Sequence, residues 1–473
     1  VIERRFLMKT ASSERRVRFL MTLALFSCTY FLYSISPIID LCDSTYSMVV
    51  SESLLHHHST HLNDYQFPET IAVLQNSTPP IDDPKKLQSY QLAKVNGNIV
   101  YCYPHGSAIL SLPFVALMNA MGVSAATPDG KYDKAGELTI QKTLAALLMA
   151  FLACIVFRTA LLLLGATPSM FIAIGLALGT QVWSTGTRSL WSHTWFIFLG
   201  GLAAYHLLSV ELGRRRVRPV LLATILSWMY FVRPTGAIAI VGVSVYVLIY
   251  HRSAFLVFAA TGALWLAGFV ILWWKTYGEI IPGYYRSRLG SPNFWTGLYG
   301  NLLGPSRGLF IYVPVLGFVL YLVIRYWRAI PVRRLAILSG AIALANLIAI
   351  AAYPCWWGGY CYGARLMMDA LPWLVVLAIL GCAGASVGRA TVLSRAEFTV
   401  ALILLALSIG INGRGAFSLP TQQWSMVVDL DKHPERALAW SYPQFAAGLV
   451  TPPDYVIANI NRLERVAANG SLK

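Results

Sequence analysis

The chain repeats one pattern almost from end to end: an apolar run long enough, or nearly long enough, to cross a bilayer, then a polar turn. Eleven such runs can be drawn: Phe19–Ile39, Lys142–Leu164, Pro168–Thr185, Ser192–Leu212, Pro219–Phe231, Thr235–Tyr250, Ala254–Trp274, Leu309–Tyr326, Leu335–Ala352, Asp369–Val387 and Glu397–Asn412. A spanning helix needs about 20 apolar residues, and fewer where protein covers part of it. The two runs around Phe231-Val232-Arg233-Pro234 are short, and Pro234 prevents their fusion into one helix. Of the 473 residues, 56% are hydrophobic and 12% charged, whereas a soluble domain carries about 25% charge. Too little polar surface exists to cover such a chain in water. Lipid is therefore its solvent, and an all-α polytopic membrane bundle is the expected fold class.

Charge orders the runs. The net charge is +16, but the arginines form no single patch of the kind that binds nucleic acid. Arg4, Arg5, Lys9, Arg15, Arg16 and Arg18 precede the first run. Further clusters fall in alternate connections: Arg158; Arg214, Arg215, Arg216 and Arg218; Arg252; Arg325, Arg328, Arg333 and Arg334; Arg389 and Arg395. Alternate basic turns are the positive-inside pattern, which places the N-terminus in the cytoplasm and the C-terminus outside a cell membrane. The first run is too long for a signal-peptide core and no A-x-A site follows it, so it reads as a retained span.

Three regions follow: a basic cytoplasmic N-terminus over 1–18, a membrane domain over 19–414, and a small outer tail over 415–473. Within the membrane domain, 40–141 is a long outer loop. Its apolar stretch Ser107–Gly122 would invert every later loop if it crossed, so it is expected to lie at the outer interface. A final helix is expected near Tyr455–Ala468. Cys42, Cys102, Cys355 and Cys361 fall in outer loops, where disulfides are open chemically but cannot be paired from sequence.

Polar residues suited to chemistry gather at the outer ends of the runs. Asp40 and Asp43 close the first run; a carboxylate there can serve as a general base, although Asp-Ser before Tyr46–Leu55 is also a helix-capping signal. Arg188, Arg233, Arg286, Arg288, Arg307 and Arg365 lie near outer ends. Guanidinium forks match phosphate oxygens, whereas any single arginine there also suits lipid headgroups. Arg307 follows Gly304-Pro305-Ser306, and Arg365 follows the glycine-rich Gly358–Ala364, leading to Asp369 and Pro372. Trp183, Trp191, Trp295, Trp356, Trp357, Tyr360 and Tyr362 surround these loops, as an interfacial belt or as stacking faces. His56, His57, His58 and His61 do not have the spacing of a metal site.

Taken in order, these segments resemble the GT-C superfamily of membrane glycosyltransferases, in particular relatives of bacterial protein O-mannosyltransferases and the lipid A aminoarabinose transferase. The resemblance is carried by Asp43-Ser44-Thr45-Tyr46 with Ser51–Leu55, by Tyr101–Gly106 leading to Leu112-Pro113, by Phe231–Thr235, by Pro305–Phe310 and by Trp357–Arg365. It implies a GT-C-like bundle of about eleven spans whose long first outer loop carries interfacial helices. It also implies transfer of a hexose or pentose from a polyprenyl-phosphate donor to an acceptor hydroxyl on the non-cytoplasmic face. Asp43 is then the base, with Asp40 second; Arg307, Arg365, Arg233 and Arg288 hold the donor phosphate; Tyr103, Trp357, Tyr360 and Asp369 contact substrate. No metal ligand is assigned, and the resemblance leaves a divalent ion open. The protein O-mannosyltransferases carry Asp-Glu where this chain has Asp43-Ser44, which argues against carrying over mannose and a protein acceptor. Direct displacement with one base inverts the anomeric centre. A transporter or flippase for a lipid-linked substrate is the alternative, and would need polar residues at the bilayer midplane, where the runs have few. A non-catalytic subunit of a membrane assembly is a third reading.

Overall fold

The computed structural model describes residues 2–73, 88–286, 289–387 and 393–468; Arg288 and Arg389 lie outside them. Each expected span is matched by a helix. α1 covers Ile2–Ser34, and after the outer segment come α4 (Lys134–Ala160), α5 (Ala166–Gly179), α6 (Ser192–Glu211), α7 (Pro219–Val232), α8 (Gly236–Tyr250) and α9 (Arg252–Tyr277). The outer segment holds α2 (Ser47–His56), strands β1 (Thr70–Val73), β2 (Gln88–Val95) and β3 (Asn98–Tyr101), and α3 (Gly106–Ala120). Beyond α9 lie α10 (Phe294–Leu303), α11 (Leu309–Tyr312), α12 (Val315–Arg325), α13 (Arg333–Ala351), α14 (Leu371–Ser386), α15 (Arg395–Phe417), α16 (Leu419–Val427) and α17 (Asp454–Ala468). Among the described residues, seven helical segments are long and apolar enough to cross a membrane: those within α1, α4, α6, α9, α13 and α15, and Arg365–Ser386. α5, α7, α8 and α12 are shorter apolar helices. The chain is a multi-pass, predominantly helical membrane protein.

α4 lies at the centre, packed against α1, α5 and α6, and α6 continues the core to α7 and α14. α9 and α15 turn most of their surface outward, which in lipid is the stable arrangement for helices apolar all round.

The boundaries have local causes. α1 ends at Ser34 rather than Ile39 because Pro37 follows: proline has no N–H and disfavours helix in the residue before it. The expected continuous run Leu309–Tyr326 is broken into α11 and α12 at Pro314 for the same reason. α7 and α8 separate at Arg233-Pro234-Thr235, as Pro234 requires. The expected interfacial stretch forms α3. The small sheet was not anticipated. β2 and β3 pair antiparallel across Asn96-Gly97, both at positive φ (51° and 81°), while β1 pairs parallel to β2; Asn-Gly is the favoured two-residue hairpin turn. Among the described residues, no disulfide joins Cys42, Cys102, Cys355 and Cys361.

Candidate active site

The loop after α1 bends tightly beyond Asp40. Thr45 N donates to Cys42 O (3.1 Å) and Ser47 N to Ser44 O (3.1 Å). Asp40 and Asp43 are therefore not on one continuing helix. The turn leaves the Asp43 side chain 33% exposed. The β2–β3 hairpin closes on it from one side. Tyr101 OH donates to the Asp43 main-chain oxygen (2.5 Å), Tyr103 OH stands 3.4 Å from Asp43 Oδ1, and Gln91 Nε2 donates to Cys42 O (3.0 Å). Burial, reinforced by the Asp43 charge, holds both phenols far above their usual pKa, so they remain proton donors.

Arg365 closes the other side. Its Nη1 is 3.3 Å from Asp43 Oδ2, and its Nη2 donates to Gly358 O (2.6 Å). The guanidinium carbon lies 4.2 Å from the centre of the Trp191 ring, a cation–π contact. Its Nε is buried and makes no hydrogen bond among the described residues. Gly358 and Gly359 (φ +74° and +67°) make the bend that aims the Gly358 carbonyl at this arginine, a conformation side chains rarely adopt.

Arg365 begins the 3-10 turn Arg365–Ala370, and Asp369 lies near its end. Asp369 was expected to meet substrate. Instead its carboxylate is fully buried and committed: to His193 Nδ1 (2.7 Å), Arg233 Nε (2.7 Å) and Thr235 Oγ1 (2.6 Å). It ties α6 and the α7–α8 break to the turn that carries Arg365. Arg233 also donates to Ser192 Oγ (3.1 Å); its Nη2 makes no hydrogen bond among the described residues, and it lies within Coulombic reach of Arg365. α3 abuts this corner: a Cβ on Gly106 would meet Val232 N at 2.6 Å, which explains the glycine after Tyr103-Pro104-His105.

Asp40 stands beside the pair, on a narrow cleft with Arg188, Tyr360, Tyr362, Gln422 and Met426. Its carboxylate has no hydrogen bond among the described residues. Burial pushes its pKa up to about 7; Arg365 opposes the rise and Asp43 adds to it.

Other candidates are placed differently from expectation. Arg307 is 2% exposed. Its Nε donates to Trp357 O (2.5 Å), its Nη1 to Ser306 O (2.6 Å) and Gln444 Oε1 (2.5 Å), and its Nη2 to Gly359 O (3.1 Å) and Ser425 Oγ (3.4 Å). A guanidinium has five N–H groups: four fasten the Trp357–Gly359 loop to the C-terminal cap, and the fifth goes to Ser306 O. Trp357 and Tyr360 are fastened to the same cap, donating to Asp431 Oδ1 (2.7 Å) and Asp429 Oδ1 (2.5 Å); Tyr360 also reaches the Asp40 cleft. Arg286 pairs with Glu279 (3.1 Å). Among the described residues no group of three or more His, Cys, Asp or Glu is arranged to hold a metal ion. Sequence reasoning treated Trp191 only as one of many interfacial aromatics; nothing in its neighbourhood announces the stack with Arg365.

The site thus unites a part-exposed carboxylate, a guanidinium, two phenols and a second carboxylate of raised pKa. That set can take a proton from a hydroxyl while stabilising an anionic oxygen beside it.

Two solved structures of ArnT from Cupriavidus metallidurans are similar to this chain. The apo form gives a TM-score of 0.47 at 12% identity, and the form bound to undecaprenyl phosphate 0.45 at 13% identity. Each similarity covers 89% of this chain and 66% of the other, so the chain spans just under two thirds of those proteins' length. No family model and no curated protein matches the sequence.

Proposed function

We propose that the chain is a GT-C-type membrane glycosyltransferase. It moves a hexose or pentose from a polyprenyl-phosphate donor to an acceptor hydroxyl on the non-cytoplasmic face, with its N-terminus cytoplasmic and its C-terminus outside. One observation carries the reading: the Asp43 carboxylate and the Arg365 guanidinium converge at 3.3 Å in a part-exposed position at an end of the bundle. The reaction requires a base and a phosphate holder side by side. Motif order from Asp43 to Arg365 supplies the family.

In this reading the donor phosphate takes Arg365 Nη1 as its partner, with Arg233 Nη2 near enough to share the charge. Asp43 is released from its ion pair and becomes the proton acceptor. The acceptor O–H attacks the anomeric carbon and its proton passes to Asp43. The bond from that carbon to the phosphate oxygen breaks, and its electron pair leaves on the phosphate. The products are an inverted glycoside and polyprenyl phosphate. The leaving group is already a good one, so positive charge matters more than a general acid. The bilayer confines the prenyl tail and so contributes to positioning.

The test is transfer from farnesyl-phosphate-linked sugars by the purified chain in lipid. Release of farnesyl phosphate that needs both Asp43 and Arg365 supports the reading. Release unaffected by Asp43→Asn removes Asp43 as the base.

A further inference from the structure

Asp-Ser ahead of a helix normally provides its cap, yet Asp43 does not cap α2. The residue in the N-cap position, Tyr46, has no side-chain capping bond and a left-handed backbone (φ 71°). A bulky residue at positive φ is strained and persists only where its surroundings impose it. The surroundings come from α4. Glu137, fully buried, accepts from Tyr46 N (2.9 Å) and Met48 N (3.0 Å), and also from Tyr132 OH (2.7 Å) and Gln141 Nε2 (3.1 Å). It satisfies two amide N–H groups at the start of α2 from another helix, and places negative charge where the helix dipole favours it.

Gln141, one turn further along α4 and also fully buried, touches both halves of the site. Its Nε2 donates to Ser44 O (2.8 Å) and approaches Ser47 Oγ (3.3 Å); its Oε1 accepts from Leu190 N (3.0 Å). Ser44 follows Asp43 in the chain, and Leu190 precedes Trp191, the face on which Arg365 rests. One amide side chain thereby fixes the spacing between the carboxylate and the platform of its cationic partner.

We propose that Glu137 and Gln141 are positioning residues: Glu137 caps α2 in place of Asp43, leaving that carboxylate for chemistry, and Gln141 sets the separation of Asp43 from the Trp191–Arg365 stack. The proposal rests on the reading of Asp43 as the base. An apolar side chain at position 141 leaves Leu190 N without its acceptor and Ser44 O held only by its local bonds from Ser47, so the tie between the Asp40–Ser47 loop and the Trp191 segment is lost and the loop shifts. Glutamine at 137 keeps one acceptor oxygen for α2 and has an intermediate effect.

Cys42 provides a reporter inside that loop. The full chain, as Gln141→Leu, Glu137→Leu and Glu137→Gln, is alkylated with a maleimide, and labelling of Cys42 is read by peptide mass spectrometry against the exposed Cys355. Gln141→Leu should change the Cys42/Cys355 ratio severalfold, with unchanged elution and a melting transition that stays cooperative even if its temperature falls. Transfer from a farnesyl-phosphate-linked sugar should then lose on the order of a hundredfold in kcat, the cost of about 1 Å of misplacement, with little change in KM. Glu137→Gln should recover much of what Glu137→Leu loses. An unchanged Cys42 ratio in folded Gln141→Leu overturns the proposal. So does failure of all three variants to fold, because the pair would then be holding the bundle together. If Cys42 moves as expected but Asp43→Asn transfers normally, the base assignment fails while the positioning role stands.

Discussion

Arg365 Nη1 lies 3.3 Å from Asp43 Oδ2, although 322 residues separate them in the chain. The contact is loose for a charge-assisted bond, which is usually about 2.7–2.9 Å. Each partner is anchored independently, Arg365 by Gly358 O and Trp191 and Asp43 by Tyr101 and the Ser44 turn. An anion entering between them need not dismantle either support.

Asp43→Asn should lower transfer by about 10²- to 10⁴-fold, the usual contribution of a general base. Affinity for a farnesyl-phosphate diester should hold or tighten, because a negative charge beside Arg365 has gone. Turnover and equilibrium binding on the same preparation check both arms.

Arg365→Lys should weaken diester binding about tenfold or more, since hydrogen bonds to charged groups contribute about 1.5–3 kcal/mol. Lysine keeps the charge but loses the flat face on Trp191 and cannot grip Gly358 O and a phosphate as one fork. Titration at two salt concentrations checks it; equal affinity for variant and parent would remove Arg365 as the phosphate holder.

In the proposed reading, Asp40 should make donor binding depend on pH. With its pKa raised to about 7, Asp40 is mostly neutral below pH 7 and charged above it. Affinity for a phosphate diester, which does not itself titrate there, should fall as pH rises through 7. Asp40→Asn should flatten the curve at the tighter level. A parent curve already flat between pH 6 and 8 would contradict the placement of Asp40.

Arg307→Met should destabilise the chain by on the order of 3 kcal/mol, because buried acceptors lose a charged donor. Diester affinity in the protein that remains folded should stay within about twofold. Thermal melting beside binding separates this structural role from that of Arg365.

The helices were legible because apolar runs and basic turns are local signals. Pro37 and Pro314 were equally visible, but hydropathy alone runs through them; only the missing N–H ends α1 early and divides α11 from α12. The hairpin had its signal in Asn96-Gly97, masked by a segment too polar to suggest a sheet inside a membrane protein. In the candidate site, Arg307 and Arg365 looked alike, each behind a glycine-bearing loop. What separates them is Gln444 and Ser425, more than a hundred residues beyond Arg307. Glu137 and Gln141 precede an apolar run and read as its polar fringe; their task becomes visible only once α2 is seen docking on α4.

The clamp made by Arg307 also orders events during synthesis. It holds the Trp357–Gly359 loop against Ser425 and Gln444, residues that leave the ribosome well after the loop itself. At roughly 5–20 residues per second, Asp43 waits some tens of seconds for Arg365, and the loop that steadies Arg365 waits again for the tail. A chain halted just after α15 would hold α1 to α15 and still lack the residues that steady the Arg365 loop. The support on which the Asp43–Arg365 pair rests is therefore completed only after α15 has been made.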